Sequence, residues 1–169
     1  MRRERGVASL KKLNSLLLLL ATMLLLSCGG YNQHCYQSVG GEWAQGCPLA
    51  FVQDSALCRG SDSLALYVGV RYSAAYEYKN LCLQVTGYAG GDSVVLCDTV
   101  CCDIYDNTGR RNGSTAGSLY QAEYYVAPVA RQNAHTIRLQ HIMQDSLLKG
   151  VYDVGIKLVS RGRHRCAEK

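Results

Sequence analysis

The sequence has little proline, little charge and few aromatic residues other than tyrosine. It contains two prolines, one tryptophan and one phenylalanine in 169 residues, and 18% of its residues are charged against 48% hydrophobic. Such a composition excludes a disordered chain and a collagen, because these are rich in charge or in proline. The length fits one domain with enough apolar residues to bury a core.

Motifs of common enzyme active sites are also absent. The sequence holds no GxSxG, Walker, GxGxxG, HExxH or EF-hand motif. It has no CxxC pair, and His34-Cys35 and His164-Arg165-Cys166 lack a second ligand pair at zinc spacing. We therefore expect a protein that is not an enzyme, with no cofactor and no metal. A hydrolase whose site is assembled from distant residues remains the minor alternative.

The longest apolar run lies near the N-terminus and is too short to span a bilayer. Residues 16–26 are apolar except for Thr22 and follow Lys11 and Lys12, whereas a spanning helix needs about 20 apolar residues. A basic segment before a short apolar run is typical of a secretory signal. Without residues 1–27 the chain keeps 13 basic and 12 acidic residues. The formal charge of +5 therefore indicates no nucleic-acid partner.

A candidate lipid-attachment motif ends this leader. Leu25-Leu26-Ser27-Cys28 resembles a bacterial lipobox, in which the cysteine thiolate takes a diacylglyceryl group before cleavage. Acyl chains hold a protein on a membrane with about 0.8 kcal/mol for each buried methylene. We expect a signal peptide at residues 1–27 and lipidation, including palmitate, at Cys28; an ordinary cleaved signal is the alternative. No acid lies between Cys28 and Glu42, which favours the periplasmic face of the outer membrane.

Alternating hydrophobicity predicts strands from Leu64 onward. The alternating segments are residues 64–71, 81–86, 94–105, 119–129, 136–143 and 151–160. Turn-forming residues such as Asp106-Asn107-Thr108-Gly109 separate them. We expect an all-β fold, an antiparallel β-sandwich of about 6–8 strands over residues 49–162. A polar tether at 28–48 precedes it, and a basic tail at 163–169 follows it.

The cysteines predict an exported protein but not a pairing. Eight remain after Cys28, and eight cysteines allow 105 connectivities. Cys97 and Cys101 would lie about 13 Å apart on an extended strand and cannot bridge each other. Cys101 and Cys102 point to opposite faces and need partners elsewhere, or stay free as small apolar residues. The single tryptophan, Trp43, is expected to pack at the edge of the core.

Two segments resemble a known family. The first, residues 66–81, reads LYVGVRYSAAYEYKNL, and the second, residues 141–156, reads HIMQDSLLKGVYDVGI. Together with the lipobox at Cys28 and the DNTG turn between them, they resemble the GldH family of gliding-motility lipoproteins. The resemblance runs from about Cys28 to Gly162. It departs from the family pattern at Arg111, where a tryptophan is usual, and the high cysteine content is also unusual.

The resemblance implies a lipid-anchored, non-enzymatic component of the cell envelope. Members of this family are linked to gliding motility and type IX protein secretion, so the expected role is that of a scaffold or accessory protein, and the expected partners are other envelope lipoproteins. The two segments supply six candidate partner-binding residues: Arg71, Tyr76, Tyr78, Asn80, Met143 and Asp145. Gln144 stands where the family favours arginine.

The same residues also have a purely structural interpretation. Asn80 suits a turn that opens a strand, Gly150 allows a positive φ, and Arg71 can hold a carboxylate or backbone carbonyls at the rim of the sandwich. A different function is also compatible with the sequence, because its twelve tyrosines could line a sheet face that binds glycan or peptidoglycan. In that alternative, Tyr76 and Tyr78 would contact the sugar.

Overall fold

The computed structural model describes residues 32–53, 63–90, 92–130 and 135–160. Within these ranges the chain forms eleven β-strands and no helix. The strands are β1 (Asn32–Ser38), β2 (Glu42–Ala44), β3 (Leu49–Val52), β4 (Ser63–Tyr72), β5 (Asn80–Tyr88), β6 (Val94–Asp103), β7 (Ser114–Ala116), β8 (Leu119–Ala130), β9 (Thr136–His141), β10 (Leu147–Lys149) and β11 (Val151–Ser160). The predicted signal peptide, Cys28 and the basic tail at 163–169 lie outside the described residues.

The strands form an antiparallel sandwich, which confirms the predicted fold class. One sheet has the order β1-β11-β4-β8-β7, the other has the order β3-β9-β5-β6, and β10 and β2 form a separate two-stranded ribbon. The six predicted segments correspond to β4, β5, β6, β8, β9 and β11. Of the five strands that they miss, β2, β7 and β10 have three residues each. Alternation over three residues is too short to be recognised in a sequence.

The core lies between the two larger sheets and consists of the alternating residues found in the sequence. Leu64, Leu66, Val68 and Val70 of β4 are fully buried, and they share one face because successive side chains of a strand alternate. The opposite sheet contributes β5 and β9 side chains to the same cluster. Truncating a buried leucine of this kind to alanine costs about 2–5 kcal/mol.

The β2–β10 ribbon adds Trp43 to this core. Trp43 is 1% exposed, lies opposite Leu148 in the ribbon and donates its indole N–H to the Cys47 carbonyl at 2.9 Å. The hydrogen bond satisfies the polar end of the ring while the rest of the ring packs against apolar side chains. Trp43 is therefore a packing residue, as expected from the sequence.

The predicted tether at 28–48 is wrong from Asn32 onward. Residues 32–38 form β1, which pairs with β11 from Asn32↔Val159 to Ser38↔Asp153. The strand is missed by the sequence pattern because it lies at a sheet edge, where most of its polar side chains remain at least partly exposed. The sandwich thus begins no later than Asn32 instead of at residue 49.

The four-stranded sheet carries a disulfide between neighbouring strands. Cys82 of β5 and Cys101 of β6 are direct cross-strand partners. Cys102 points to the opposite face and is buried in the core, as expected for adjacent strand residues. Burial, with a smaller contribution from the charge of Asp103, raises the pKa of the Cys102 thiol to about 12. Cys58 and Cys166 lie outside the described residues.

Candidate functional site

The two sequence segments that resemble the family meet at one end of the sandwich. The segment after β4 and the segment around β10 are joined by a backbone hydrogen bond from Ser73 to Gly150, 2.8 Å long. A side-chain hydrogen bond from the Tyr78 hydroxyl to the Asp145 carboxylate also joins them. Between them lies a shallow pocket of about 360 Å³. We call its lining the loop surface: Ala75, Glu77, Tyr78, Asp145, Leu147 and Lys149.

Gly150 makes this contact between the segments possible. Its φ is 85°, as the sequence predicted, and a Cβ there would lie 2.5 Å from the backbone nitrogen of Tyr76. Only glycine combines that backbone conformation with so close an approach. Gly150 also donates its N–H to the Gly41 carbonyl at 2.8 Å, so it joins three turns at this end of the molecule.

Tyr78 and Asp145 lie on the loop surface, whereas Tyr76 does not. Tyr78 is 36% exposed and Tyr76 is 1% exposed. The Tyr76 hydroxyl donates to the Asn80 carbonyl at 2.9 Å, and burial raises its pKa. Tyr76 was expected to contact a partner or a glycan; this is wrong because its ring is part of the core. The pair of tyrosines therefore does not form an exposed platform for a sugar.

Asn80 and Met143 have mainly structural contacts. Asn80 is exposed at the start of β5 and accepts the hydroxyl of Tyr76 on its carbonyl. Met143 packs against the core, and its sulfur accepts the backbone N–H of Cys82 at 3.4 Å. Neither side chain lines the pocket, although both lie next to the segments that do.

Arg71 lies on the outer face of the five-stranded sheet, apart from the pocket. Its Nε donates to Gln121 Oε1 at 2.9 Å, one terminal nitrogen is 3.7 Å from Asp153 Oδ2, and the guanidinium is 4.5 Å from the centroid of the Tyr36 ring. Because contacts within the chain engage this group, they support the structural interpretation of Arg71.

Arg111 is a residue that sequence reasoning missed. Its guanidinium lies 4.7 Å from the Tyr105 ring centroid and 5.2 Å from that of Tyr120, and it donates to the Ala74 carbonyl at 2.8 Å. It thereby connects the loop that follows β4 to an aromatic cluster. The contacting residues are far apart in the sequence, so no local pattern could have found them. The planar guanidinium stands where the family resemblance suggested tryptophan.

The comparison with known families identifies the chain. Residues 33–158 match the family described as GldH lipoprotein. The chain belongs to the GldH lipoprotein family. It is accordingly a membrane-anchored lipoprotein of the gliding-motility type. The matched region includes both resembling segments and starts within β1, in agreement with the corrected domain boundary.

Other comparisons add little to this assignment. No curated protein matches the sequence. Matching solved structures include one titled "Structure of Eiger TNF from S. frugiperda", with a TM-score of 0.35, 6% identity, and coverage of 83% of this chain and 98% of that one. So low a TM-score supports no conclusion about this GldH-family protein.

The turn that follows β6 in this GldH-family protein is stabilised by Asp106. One carboxylate oxygen accepts the Thr108 backbone N–H at 2.8 Å, the Thr108 hydroxyl at 2.7 Å and the Arg110 N–H at 2.9 Å. These hydrogen bonds, that of the Thr108 hydroxyl above all, lower the pKa of Asp106. The bonds stabilise the turn conformation and leave the carboxylate as a structural group.

The described ranges contain neither a metal-binding cluster nor a membrane-spanning helix. No group of three or more histidine, cysteine or acidic residues in them is arranged to hold a metal ion. None of their segments forms a helix that is long and apolar enough to cross a membrane.

One histidine is buried beside Trp43. His141, at the end of β9, is fully buried, and its ring packs edge-on against Trp43 with centroids 5.1 Å apart. Neither ring nitrogen has a hydrogen-bond partner of good geometry. Burial lowers the pKa of His141, and the Trp43 backbone opposes this in part. The GldH-family core thus holds a neutral imidazole next to the β2–β10 ribbon.

Proposed function

We propose that this GldH-family protein is a non-enzymatic scaffold or accessory component of the gliding and type IX secretion machinery. After removal of residues 1–27, acyl chains on Cys28 hold it at the periplasmic face of the outer membrane. The loop surface then binds another envelope protein. The observation that supports this proposal is the course of β1, which runs from Asn32 toward the loop surface at its Ser38 end.

The register of β1 supports an orientation. Asn32 is four residues from Cys28 and pairs with Val159, while Ser38 at the other end pairs with Asp153. Four residues reach at most about 14 Å, and a seven-residue strand extends about 20 Å farther. The loop surface lies beyond Ser38, since the Gly41 carbonyl accepts the N–H of Gly150, the residue that follows Lys149 of that surface. The N-terminal end of β1, which is nearer to Cys28 in the sequence, is thus the end farther from the loop surface.

The chemistry of the loop surface suits a transient protein contact. Glu77, Asp145 and Lys149 offer charges of both signs around Leu147, which is 42% exposed. An apolar centre with a polar rim is the usual composition of such an interface. Confinement to a membrane raises the effective concentration of the domain near other envelope proteins, so a small surface suffices for binding.

The anchor is tested by exchanging single cysteines. Cys28→Ser should abolish incorporation of labelled palmitate and release the protein from the membrane fraction. Cys47→Ser, at an exposed cysteine, is the matched control and should change neither. Lipid labelling or membrane association that persists in Cys28→Ser would contradict the anchor.

The docking surface is tested by site-specific photocrosslinking in cells. A photoreactive phenylalanine analogue at Tyr78 should give adducts with other gliding or secretion lipoproteins, identified by mass spectrometry. The control position is Tyr125 on β8, which is 46% exposed and lies outside the loop surface. Equal adducts at both positions, or none at Tyr78 in a strain with normal secretion, would refute the proposal.

A further inference from the structure

The outermost strand of the four-stranded sheet, β6, has no partner on its outer side among the described strands. We propose that the free edge of β6 is a strand-addition site for an extended, positively charged segment of another polypeptide. β6 pairs with β5 on one side and is last in the strand order of its sheet. This site is separate from the loop surface and does not depend on the proposed function.

The hydrogen-bond pattern of β5 shows which way the backbone groups of β6 point. The Cys82 carbonyl accepts the N–H of Ile142 at 3.0 Å, so the Cys82 backbone groups point away from β6. Its partner Cys101 is consequently in a non-hydrogen-bonded pair, which points its own N–H and C=O away from β5. The same alternation applies to Thr99 and Cys97. No described strand pairs with these three residues on that side, and we call them the β6 edge.

The last residue of β6 is contacted by other side chains, whereas the side chains along the rest of the strand remain accessible. At the end, the Asp103 carbonyl accepts the Tyr124 hydroxyl at 2.6 Å and the Asn112 side-chain N–H at 2.8 Å. Farther along, the inward positions Leu96, Asp98 and Val100 remain partly exposed. Val94 and Val95 are 54% and 42% exposed. A strand added along β6 would cover part of these exposed side chains.

β6 also lacks most features that protect edge strands from pairing. Such strands usually carry lysine or proline, and Val94–Asp103 has neither. Asp98 is the exception, because an inward charge discourages pairing and because its carboxylate accepts the Thr99 N–H at 2.7 Å. The backbone groups of Cys97 and Cys101 remain available to an added strand.

The charge of the β5–β6 hairpin determines which strand fits. Residues 80–103 contain Asp92, Asp98 and Asp103 but no lysine, arginine or histidine. A second copy paired antiparallel around Asp98 would bring two carboxylates together, and like charges across a strand pair are destabilising. A segment with lysine or arginine opposite Asp98 gains from the same charge. The partner is therefore a basic extended segment of another protein.

A synthetic strand tests the site on the full protein, purified in detergent. The probe is a fluorescent decapeptide in which lysine alternates with valine, and the control is the same peptide with alternate backbone nitrogens methylated. We expect saturable binding of the probe by anisotropy, at least tenfold weaker binding of the methylated peptide, and slower amide hydrogen exchange in a fragment covering residues 96–101. Equal binding of both peptides would overturn the proposal, as would protection elsewhere.

A charge reversal separates the edge from general electrostatics. Asp98→Lys should weaken binding of the probe at least tenfold, whereas Glu42→Lys, the same change on an exposed residue of β2, should alter it less than twofold. Equal loss in both variants would show nonspecific attraction and refute the site. If the protein instead forms a dimer through β6, measured by concentration-dependent sedimentation together with slower amide exchange at residues 96–101, a second copy occupies the edge and the proposal is wrong.

Discussion

The Tyr78 hydroxyl donates a hydrogen bond to the Asp145 carboxylate, although 67 residues separate them. The bond joins the loop that follows β4 to the segment that precedes β10. Each residue lies in one of the two segments that resemble the family, and both line the pocket between them. The bond is thus a direct link between the two parts of the sequence that identify the protein.

Removing this bond should lower the free energy of unfolding only slightly, because the bond lies on the exposed loop surface. A hydrogen bond of this kind contributes about 0.5–1.5 kcal/mol, and its exposure favours the lower end. We expect Tyr78→Phe and Asp145→Ala to lower the free energy of unfolding by similar amounts, with a double variant no worse than either single one. Chemical denaturation of all four proteins measures this cycle, and strictly additive losses would contradict the pairing.

Replacing Gly150 should be severely destabilising. Gly150→Ala places a residue at a φ of 85° and a Cβ 2.5 Å from the Tyr76 nitrogen. The φ alone costs about 1–2 kcal/mol, and the overlap adds to it. Gly109→Ala is the matched control, because its φ is 80° while nothing lies within 4 Å of its added Cβ. Thermal unfolding should show a clearly larger loss for Gly150→Ala, and equal losses would contradict the packing described.

The buried imidazole should make stability depend on pH. The pKa of His141 is lowered in the folded protein, so the unfolded chain binds the proton more tightly. Stability from this group is fully present above the unfolded pKa, about 6.5, and is lost as pH falls from there through the folded pKa. His141→Phe should reduce the difference between unfolding midpoints at pH 7.5 and 5.5, while His34→Gln, at an exposed position, should keep it. An unchanged difference in His141→Phe would contradict this prediction.

The free cysteines should differ in reactivity. Cys47 and Cys97 are exposed and Cys102 is buried, with its pKa raised to about 12. Because the thiolate is the reactive form, maleimide at pH 7.5 should label Cys47 and Cys97 in the folded protein and label Cys102 only after denaturation. Peptide mass spectrometry measures this, and rapid labelling of folded Cys102 would place it outside the core.

The guanidinium of Arg111 should stabilise the loop beside the pocket. Arg111→Lys keeps the charge but loses the planar group that contacts two tyrosine rings and the Ala74 carbonyl. We expect a loss of about 1–2 kcal/mol, the sum of modest cation–π and hydrogen-bond contributions. Arg110→Lys, at an exposed neighbour, should have almost no effect on chemical denaturation. Equal effects would show that Arg111 contributes charge alone.

The core strands could be predicted because their signal is local. Leu64, Leu66, Val68 and Val70 alternate with less apolar neighbours, and this pattern alone indicates which face is buried. β1 gave no such signal, because its side chains only partly enter the core. Its place in the sheet depends on the unpaired backbone of β11, which lies more than a hundred residues away in the chain.

The features of the candidate site also fall into two groups, those predicted from the sequence and those decided by the tertiary structure. The sequence by itself determined the two segments, the positive φ of Gly150, the all-β class and the family, because each depends on neighbouring residues. Only the tertiary structure decided that Tyr76 is buried while Tyr78 is exposed, that Cys82 pairs with Cys101 and that Arg111 lies among tyrosines. These outcomes depend on which distant strands become neighbours, and contacts between distant residues leave no mark in any short stretch of sequence.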